Sequence, residues 1–205
     1  TNLKLIPDMV TFDQYENVLI KNPQYLIKFW NSVILTVPIV AGQILVALLA
    51  AYGFARFEGK IRSLIFFVYV ILMLMPYQVT LVPNRLVAEW LNLYDTRWAI
   101  ILPGIFSPFA VFILTKFMRR IPNAMIEAAK LDGAGEMQVF CKICVPMSKG
   151  IIYSVAILVF IDYWNMVEQP LVLLKTSDMH PLSVFLSEIN SGDAALPFAV
   201  ASIYM

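Results

Sequence analysis

Apolar residues are gathered into four long runs along this chain. The runs cover Phe29 to Ala55, Ser63 to Asn84, Trp98 to Thr115 and Gly150 to Val167, and only the last contains a formal charge, Asp162. They are 27, 22, 18 and 18 residues long, and a helix needs roughly 20 apolar residues to cross the hydrocarbon core of a bilayer. The pattern predicts an all-α, polytopic membrane protein with four complete spans.

Composition and the chain ends extend this prediction. Hydrophobic residues make up 60% of the 205 positions and charged residues only 14%, against about 25% charged in an average soluble domain. A fifth apolar run begins at Leu196 and continues to Met205. We therefore expect the chain to belong to a longer multi-span protein. The expected division is an extracytoplasmic segment at 1–28, three spans within 29–115, a polar region at 116–149, a span at 150–167, an outer loop at 168–195 and the start of a fifth span at 196–205.

The distribution of basic residues predicts the orientation. Nine of them flank one side of the predicted spans: Arg56, Lys60, Arg62, Lys116, Arg119, Arg120, Lys130, Lys142 and Lys149. Six flank the other: Lys4, Lys21, Lys28, Arg85, Arg97 and Lys175. Because cytoplasmic loops of membrane proteins carry the excess of Lys and Arg, we place 116–149 in the cytoplasm. The net charge of +1 gives no reason to predict a nucleic-acid partner.

Prolines lie within the second and third runs. Pro76 lies inside the second run, and Pro103 and Pro108 lie inside the third. Proline removes a helical hydrogen bond and bends or breaks a helix, so we expect the third span to be kinked. Broken helices line transport pathways in some membrane transporters, but the pattern favours a kink that serves only packing.

Residues 127–135, EAAKLDGAG, are small and polar between two strongly apolar runs. Pro122 suits a helix start, the next nine residues favour helix, and Gly133 and Gly135 favour a turn before a second short helix. A surface linker is one interpretation. A helix with a small-residue surface on a tight turn is also typical of an element that docks into a partner.

Few residues suggest catalytic or metal chemistry. The single histidine, His180, lies in the predicted outer loop, and Cys141 and Cys144 form a lone CxxC without the second pair that a zinc site needs. Asp162 is a functional candidate because ionisable residues inside membrane segments are expensive and usually retained for a role. Trp164 and Asn165 follow it and are candidate neighbours of a pathway. No enzyme activity, cofactor site or metal site is predicted.

The EAAKLDGAG stretch also resembles the EAA motif of permease subunits in binding-protein-dependent ABC importers. That motif reads EAA, three residues, Gly, nine residues, Ile, one residue, Leu-Pro. This chain has the same spacing, with Glu127, Ala128, Ala129, Gly133, Ile143 and Pro146, and departs from it only at Val145, where the motif has Leu. Most of the chain is similar to MalG-type carbohydrate permeases, through FWNSVILT, AAYGFARFEGK, MPYQVTLVP, LNLYDTRWAIILP and DYWNMVEQPLVLL.

The resemblance implies a type I importer permease fold, with about six spans in the full protein, four complete and one partial in this chain. It implies that Glu127, Ala128, Ala129, Asp132 and Gly133 form a coupling helix, which docks into a cytoplasmic ATPase subunit, and that Ile143 and Pro146 tie it to the next span. ATP and magnesium would be bound by that partner. The other implied partners are a second, distinct permease, an extracytoplasmic solute-binding protein, a sugar and membrane lipid, with the complex in the bacterial inner membrane.

Other functions stay open from the residues alone. An ATP-independent secondary transporter would suit the broken helices and Asp162, and an ABC importer permease could carry a solute that is not a sugar. A membrane-embedded scaffold is a third possibility. Neither the secondary transporter nor the scaffold requires the docking loop.

Overall fold

A computed structural model describes residues 23–57 and 59–188, and the regular structure within these ranges is helical. The helices are α1 (Pro23–Arg56), α2 (Lys60–Met73), α3 (Tyr77–Trp90), α4 (Trp98–Ile105), α5 (Pro108–Met118), α6 (Asn123–Leu131), α7 (Glu136–Met147), α8 (Lys149–Trp164), α9 (Glu168–Leu173) and α10 (Leu182–Glu188). The expectations for 1–22 and for the fifth span at 196–205 lie outside the described residues.

The long helix α1 is the centre of the fold. It spans 34 residues, about 50 Å at 1.5 Å per residue, and packs against α4, α5 and α8. Residues 23–28, which the sequence analysis assigned to the outer segment, belong to the first turns of this helix. Ala47 and Ala51 are buried at its contact with α5 and α8, where small side chains allow helix backbones to approach closely.

Two glycines interlock α1 with α4. A Cβ on Gly42 would lie 2.7 Å from Ile105 Cγ1, and one on Gly104 would lie 3.0 Å from Ile39 Cγ2. Each helix thus presents a glycine to an isoleucine of the other. This exchange sets how closely the two helices cross.

The second predicted span, over 63–84, is interrupted in the structure. Helix α2 ends at Met73, α3 begins at Tyr77, and their axes differ by 106°. Pro76 explains the break, because proline lacks an N–H and disfavours helical geometry in the residue before it. Helix α3 continues six residues beyond the apolar run that ends at Asn84, to Trp90.

The kink predicted in the third span is confirmed. Helices α4 and α5 are separated at Phe106 and Ser107, and Ser107 has extended backbone angles directly before Pro108. Together Trp98–Met118 is long and apolar enough to cross a membrane, as is Gln24–Arg56, and counting each bent pair as one span gives up to four within the described residues.

The predicted outer loop contains α9, α10 and a short 3-10 turn at Ser177–Met179. Polar side chains near the start of α1 hold it. Asn31 Nδ2 donates to the Asp178 carbonyl at 2.6 Å, Lys28 donates to the Ser177 carbonyl, and the Leu182 N–H donates to Ser32 Oγ at 3.0 Å. These bonds satisfy backbone groups in a segment where regular structure is short.

Candidate functional site

Helices α6 and α7 form a hairpin at the end of α1 that carries the EAA motif. Pro122 precedes α6, and only Ile126 of that helix is buried. Ile126 joins Val139 of α7 in the core shared by α1, α5 and α8. Apolar contacts on one side of each helix thus seat the hairpin and leave the other faces of α6 open.

Gly133 terminates α6 in a left-handed conformation with φ of 84°. Its N–H donates to the Lys130 carbonyl at 3.0 Å, and the Ala134 N–H donates to the Ala129 carbonyl at 2.9 Å. This pair of bonds is the Schellman motif, which satisfies the last carbonyls of a helix and favours glycine because other residues pay a steric cost there. Gly133 therefore fixes the sharp turn between α6 and α7.

The turn is followed by a polar link back to α1. Tyr52 donates its hydroxyl hydrogen to Glu136 Oε2 at 2.5 Å, and Lys130 Nζ donates to Glu136 Oε1 at 2.5 Å. The Gly135 N–H donates to Gln138 Oε1 at 3.1 Å and caps the start of α7. The Glu136 carboxylate thus connects α1, α6 and α7, a link that the sequence did not predict.

At the base of the hairpin, two arginines each donate hydrogen bonds to the end of a neighbouring helix. Arg56 Nη2 donates to the Met118 carbonyl at 2.7 Å and its Nη1 donates to Asn123 Oδ1 at 3.0 Å. Arg119 Nη2 donates to the Phe54 carbonyl at 3.1 Å. Cations are favourable beside the carbonyl end of a helix, so each arginine stabilises the end of the neighbouring helix. These hydrogen bonds fix the position of the first residue of α6 relative to α1 and α5.

The motif residues divide between the two faces of the hairpin. Glu127, Ala128, Asp132 and Gly133 are exposed, whereas Ala129 is half-buried against the core. The sequence analysis missed the apolar part of the exposed face. Leu131 is 89% exposed, Met137 65% and Met125 45%. The sequence did contain a signal, because these three apolar residues lie within an otherwise polar stretch. An exposed apolar cluster of this kind marks an interaction site.

Ile143 and Pro146 lie where α7 leads into α8. Ile143 is half-buried against the core within a π turn at Phe140–Cys144, in which the Val145 N–H donates to the Phe140 carbonyl. Pro146 has no N–H to continue the normal helical pattern, and π turns commonly absorb such a mismatch. The chain then bends by 74° at Ser148, and α8 begins at Lys149, one residue before the start of the span predicted at 150–167.

Asp162 borders a cavity of about 600 Å³. The cavity lies where the α2–α3 break meets the α4–α5 break, with α8 and α9 closing it. Its polar lining includes Tyr77, Asn84 and Gln169, among mostly apolar neighbours. The predicted break between α4 and α5 and the break at Pro76 thus face one space.

Trp164 and Asn165 are not among the residues that line this cavity. Trp164 stacks on Phe160 with 5.2 Å between ring centroids and meets the edge of Phe29 at 5.7 Å. Asn165 ends α8, and its Nδ2 donates to the Ile161 carbonyl at 2.8 Å. The structure brings Asp162 alone of the three candidates to the cavity.

Comparison with known proteins identifies the family of this chain. The family of binding-protein-dependent transport system inner membrane components matches residues 43–205. The chain belongs to this family. It is therefore a multi-pass permease component of an ABC importer in the bacterial inner membrane, and the membership favours this function over an enzyme, an ATP-independent transporter or a scaffold.

Individual relatives of this permease carry substrate names. The arabinooligosaccharides transport system permease protein AraQ of Bacillus subtilis (strain 168) is 30% identical over 190 residues, covering 93% of this chain and 68% of AraQ. The lactose transport system permease protein LacG of Rhizobium radiobacter is 31% identical, covering 80% of this chain and 60% of LacG. The sn-glycerol-3-phosphate transport system permease protein UgpE of Yersinia enterocolitica is 31% identical, covering 73% and 53%.

A solved structure supports the fold of the permease. The crystal structure of a bacterial ABC transporter involved in the import of the acidic polysaccharide alginate has a chain that superposes with a TM-score of 0.84. The match covers 99% of this chain and 72% of that chain, at 24% sequence identity. The type I importer permease fold expected from the sequence is confirmed.

Proposed function

We propose that this permease forms part of the translocation path for a sugar or an oligosaccharide, and that the α6–α7 hairpin couples the path to ATP hydrolysis in a separate cytoplasmic ATPase subunit. The exposed, rigidly seated hairpin is the observation that carries the coupling role. The names of AraQ and LacG support the substrate class.

The hairpin has the features that a docking element requires. Leu131 and Met137 give it exposed apolar contacts, while Glu127 and Lys130 offer charged ones. Burying an exposed leucine contributes about 2 kcal/mol, so a groove in the ATPase that covered Leu131 would bind this surface. Glu127, Ala128, Ala129, Asp132 and Gly133 form the docking element in this proposal.

Movement of the docked hairpin would reach the spans by two routes. Tyr52 and Arg56 hold the hairpin to the end of α1 through direct hydrogen bonds. Ile143 and Pro146 hold it to α8 through the core contact and the bend. Because α1 also packs on α4 and α5, a displacement of the hairpin acts on the helices that border the cavity.

The cavity beside Asp162 is our candidate for part of the path. Sugars present many hydroxyl groups, and a carboxylate accepts hydrogen bonds from them more strongly than a neutral oxygen does. Tyr77, Asn84 and Gln169 add donors and acceptors to the same lining. In this proposal Trp164 and Asn165 flank the path by supporting the end of α8, and Asp162 contacts the solute.

The proposed assembly contains further subunits. A second permease, distinct from this chain, would complete the path, and an extracytoplasmic solute-binding protein would deliver the sugar to the side that carries α9 and α10. The hairpin would face the cytoplasm, in agreement with the excess of basic residues on its side of the spans. ATP and magnesium would be bound by the ATPase.

Affinity purification of the full-length protein from its native membrane tests the proposal. We expect an ATPase subunit and a second permease to co-purify with the wild type and with Gly135→Ala, because Gly135 has an ordinary φ of −75° and open space around a Cβ. Gly133→Val should lose the ATPase, since a β-branched residue is strained at the φ of 84°. Purification of the wild type without an ATPase would exclude the importer role, and equal retention by both variants would exclude the docking role.

A further inference from the structure

A second pocket lies at the base of the hairpin and is separate from the cavity beside Asp162. Its volume is about 540 Å³, and it opens between the end of α1, the start of α2 and the end of α5. Arg56, Arg62 and Arg119 line it together with Ser63 and Asn123. Three arginines, at the ends of α1 and α5 and the start of α2, thus line one concave surface.

Aromatic rings orient two of these arginines. The Arg62 guanidinium carbon lies 4.7 Å from the centroid of the Phe57 ring, and that of Arg119 lies 4.9 Å from the centroid of Phe66. A guanidinium that stacks on a ring face keeps its N–H groups at the edge of its plane. These contacts therefore hold the cations in place without using all of their donors.

The described residues around the pocket form no ion pair with its arginines. Within the described ranges, the ion pairs are Arg85 with Glu89 and Lys130 with Glu136, and neither involves a pocket arginine. Like charges held together repel each other, more strongly near a low-dielectric region than in water. An anion bound among the three guanidinium groups would remove that cost.

The start of α2 adds backbone donors on the same side. Gly59 precedes this 14-residue helix and provides no side-chain cap, and both Gly59 and Ser63 line the pocket. The first N–H groups of a helix lack internal partners and favour anions such as phosphate. The start of α2 and the three arginines therefore favour an anion in the same pocket.

We propose that this pocket binds a phosphate group, as an anionic phospholipid headgroup or as free phosphate. Arginine matches phosphate oxygens with paired N–H donors, and basic pockets between spanning helices are known to bind lipid headgroups. The pocket lies at the ends of three predicted spans, at the level of a membrane surface. Since Asn123 is both part of its lining and the first residue of α6, occupancy steadies the base of the hairpin.

Arg62 gives the sharpest test. Its side chain makes no hydrogen bond or ion pair with another described residue in the structure, so Arg62→Gln removes the charge without removing a cap. Arg62→Lys keeps the charge, and Arg120→Gln is the matched control, because Arg120 is an exposed neighbour of Arg119 that does not line the pocket. The full-length protein with its co-purifying subunits is placed in nanodiscs of phosphatidylcholine, with or without phosphatidylglycerol, and retained lipid is counted by native mass spectrometry.

We expect Arg62→Gln to weaken phosphatidylglycerol retention about fivefold, the contribution of one basic residue at an anionic membrane surface. Arg120→Gln should retain it, and Arg62→Lys, which keeps the charge but not the paired donors, should retain more than Arg62→Gln. A separate arm adds inorganic phosphate to phosphatidylcholine discs: protection of the wild type against thermal unfolding, lost in Arg62→Gln, would identify a soluble phosphate as the ligand of the same site. Equal effects of Arg62→Gln and Arg120→Gln, or no effect of either lipid or phosphate, would overturn the proposal.

Discussion

The Tyr52 hydroxyl lies 2.5 Å from Glu136 Oε2 and joins the first spanning helix to the second helix of the hairpin. The two residues are 84 positions apart in the chain. Lys130 donates to the other oxygen of the same carboxylate. This bond links the residues on either side of the turn at Gly133. Through this carboxylate, both helices of the hairpin are bonded to α1.

Removing the Tyr52 hydroxyl tests that connection. Tyr52→Phe keeps the buried ring, which packs on Phe140, and loses one hydrogen bond to a partly exposed carboxylate. We expect about 1 kcal/mol of lost stability, measured as a lower melting temperature of the purified complex, together with reduced solute uptake per ATP hydrolysed. Tyr153→Phe, at a position 63% exposed, is the control and should change neither quantity. Unchanged coupling in Tyr52→Phe would show that the bond transmits nothing.

The glycine exchange between α1 and α4 gives a prediction about packing. Gly42→Ala places a Cβ 2.7 Å from Ile105 Cγ1, and isoleucine in a helix has little freedom at χ1 to move away. We expect a loss of about 1–3 kcal/mol from overpacking. Gly53→Ala lies in the same helix with open space around its Cβ, and we expect it to be neutral or stabilising. Thermal unfolding should therefore occur at a lower temperature in Gly42→Ala but not in Gly53→Ala, and a Gly42→Ala protein as stable as the wild type would contradict the tight crossing.

Asp95 gives a prediction about pH, because it fastens the outer segment. Its Oδ1 accepts the N–H groups of Lys175 and Thr176 at 2.8 Å each, and its Oδ2 accepts the Thr176 hydroxyl hydrogen at 2.8 Å. The Thr176 N–H, then the Thr176 hydroxyl, lower the pKa of this carboxyl below its ordinary value of 3.8. A lowered native pKa means that the stabilisation is complete above the ordinary value and is lost as the pH falls through the native one.

Hydrogen exchange at the Lys175 and Thr176 amides, corrected for intrinsic rates, measures this. At neutral pH we expect faster exchange in Asp95→Ala than in the wild type, and the difference should disappear only at pH values below about 3.8. Asp178→Ala removes an exposed carboxylate from the same segment and should exchange like the wild type at these two amides. A difference between Asp95→Ala and the wild type that vanishes already at pH 5 would contradict the lowered pKa.

Asp162 gives a prediction about transport. Asp162→Asn preserves the shape of the side chain and removes the charge from the cavity lining. If the carboxylate accepts bonds from sugar hydroxyls, uptake at low sugar concentration should fall about tenfold, the difference that a charged partner makes to a hydrogen bond. Ser154→Ala alters a polar residue of the same helix away from the cavity, where Ser154 bonds the Gly150 carbonyl, and should transport normally. Equal uptake in all three proteins would remove Asp162 from the path.

The sequence predicted those parts of the fold that depend on local chemistry. The lengths of the apolar runs identified α1 and α8, Pro108 predicted the break between α4 and α5, and the order Leu131, Asp132, Gly133 predicted the end of α6. Pro76 was read as part of one span, because its effect on direction depends on what α3 packs against. That contact, with α4 and α9, comes from distant parts of the chain.

The candidate site was predicted only in part for the same reason. Spacing along the chain identified the EAA residues, but it could not reveal that Glu136 meets Tyr52 or that Arg56 meets Asn123, since these pairs are 84 and 67 positions apart. The cavity beside Asp162 likewise forms where two broken helices meet. Each helix break has a local signal in its prolines, whereas their shared space has none.

Photo-crosslinking from Leu131 is the most direct test of the coupling role. A photoreactive amino acid replaces Leu131, the most exposed apolar residue of the hairpin at 89%, in the full-length protein in its native membrane. Trp90, 81% exposed at the end of α3 and away from the hairpin, is the matched control position. We predict a crosslink from position 131 to an ATP-binding subunit and none from position 90. Efficient labelling of lipid alone from position 131, with no ATP-binding subunit crosslinked, would contradict the account.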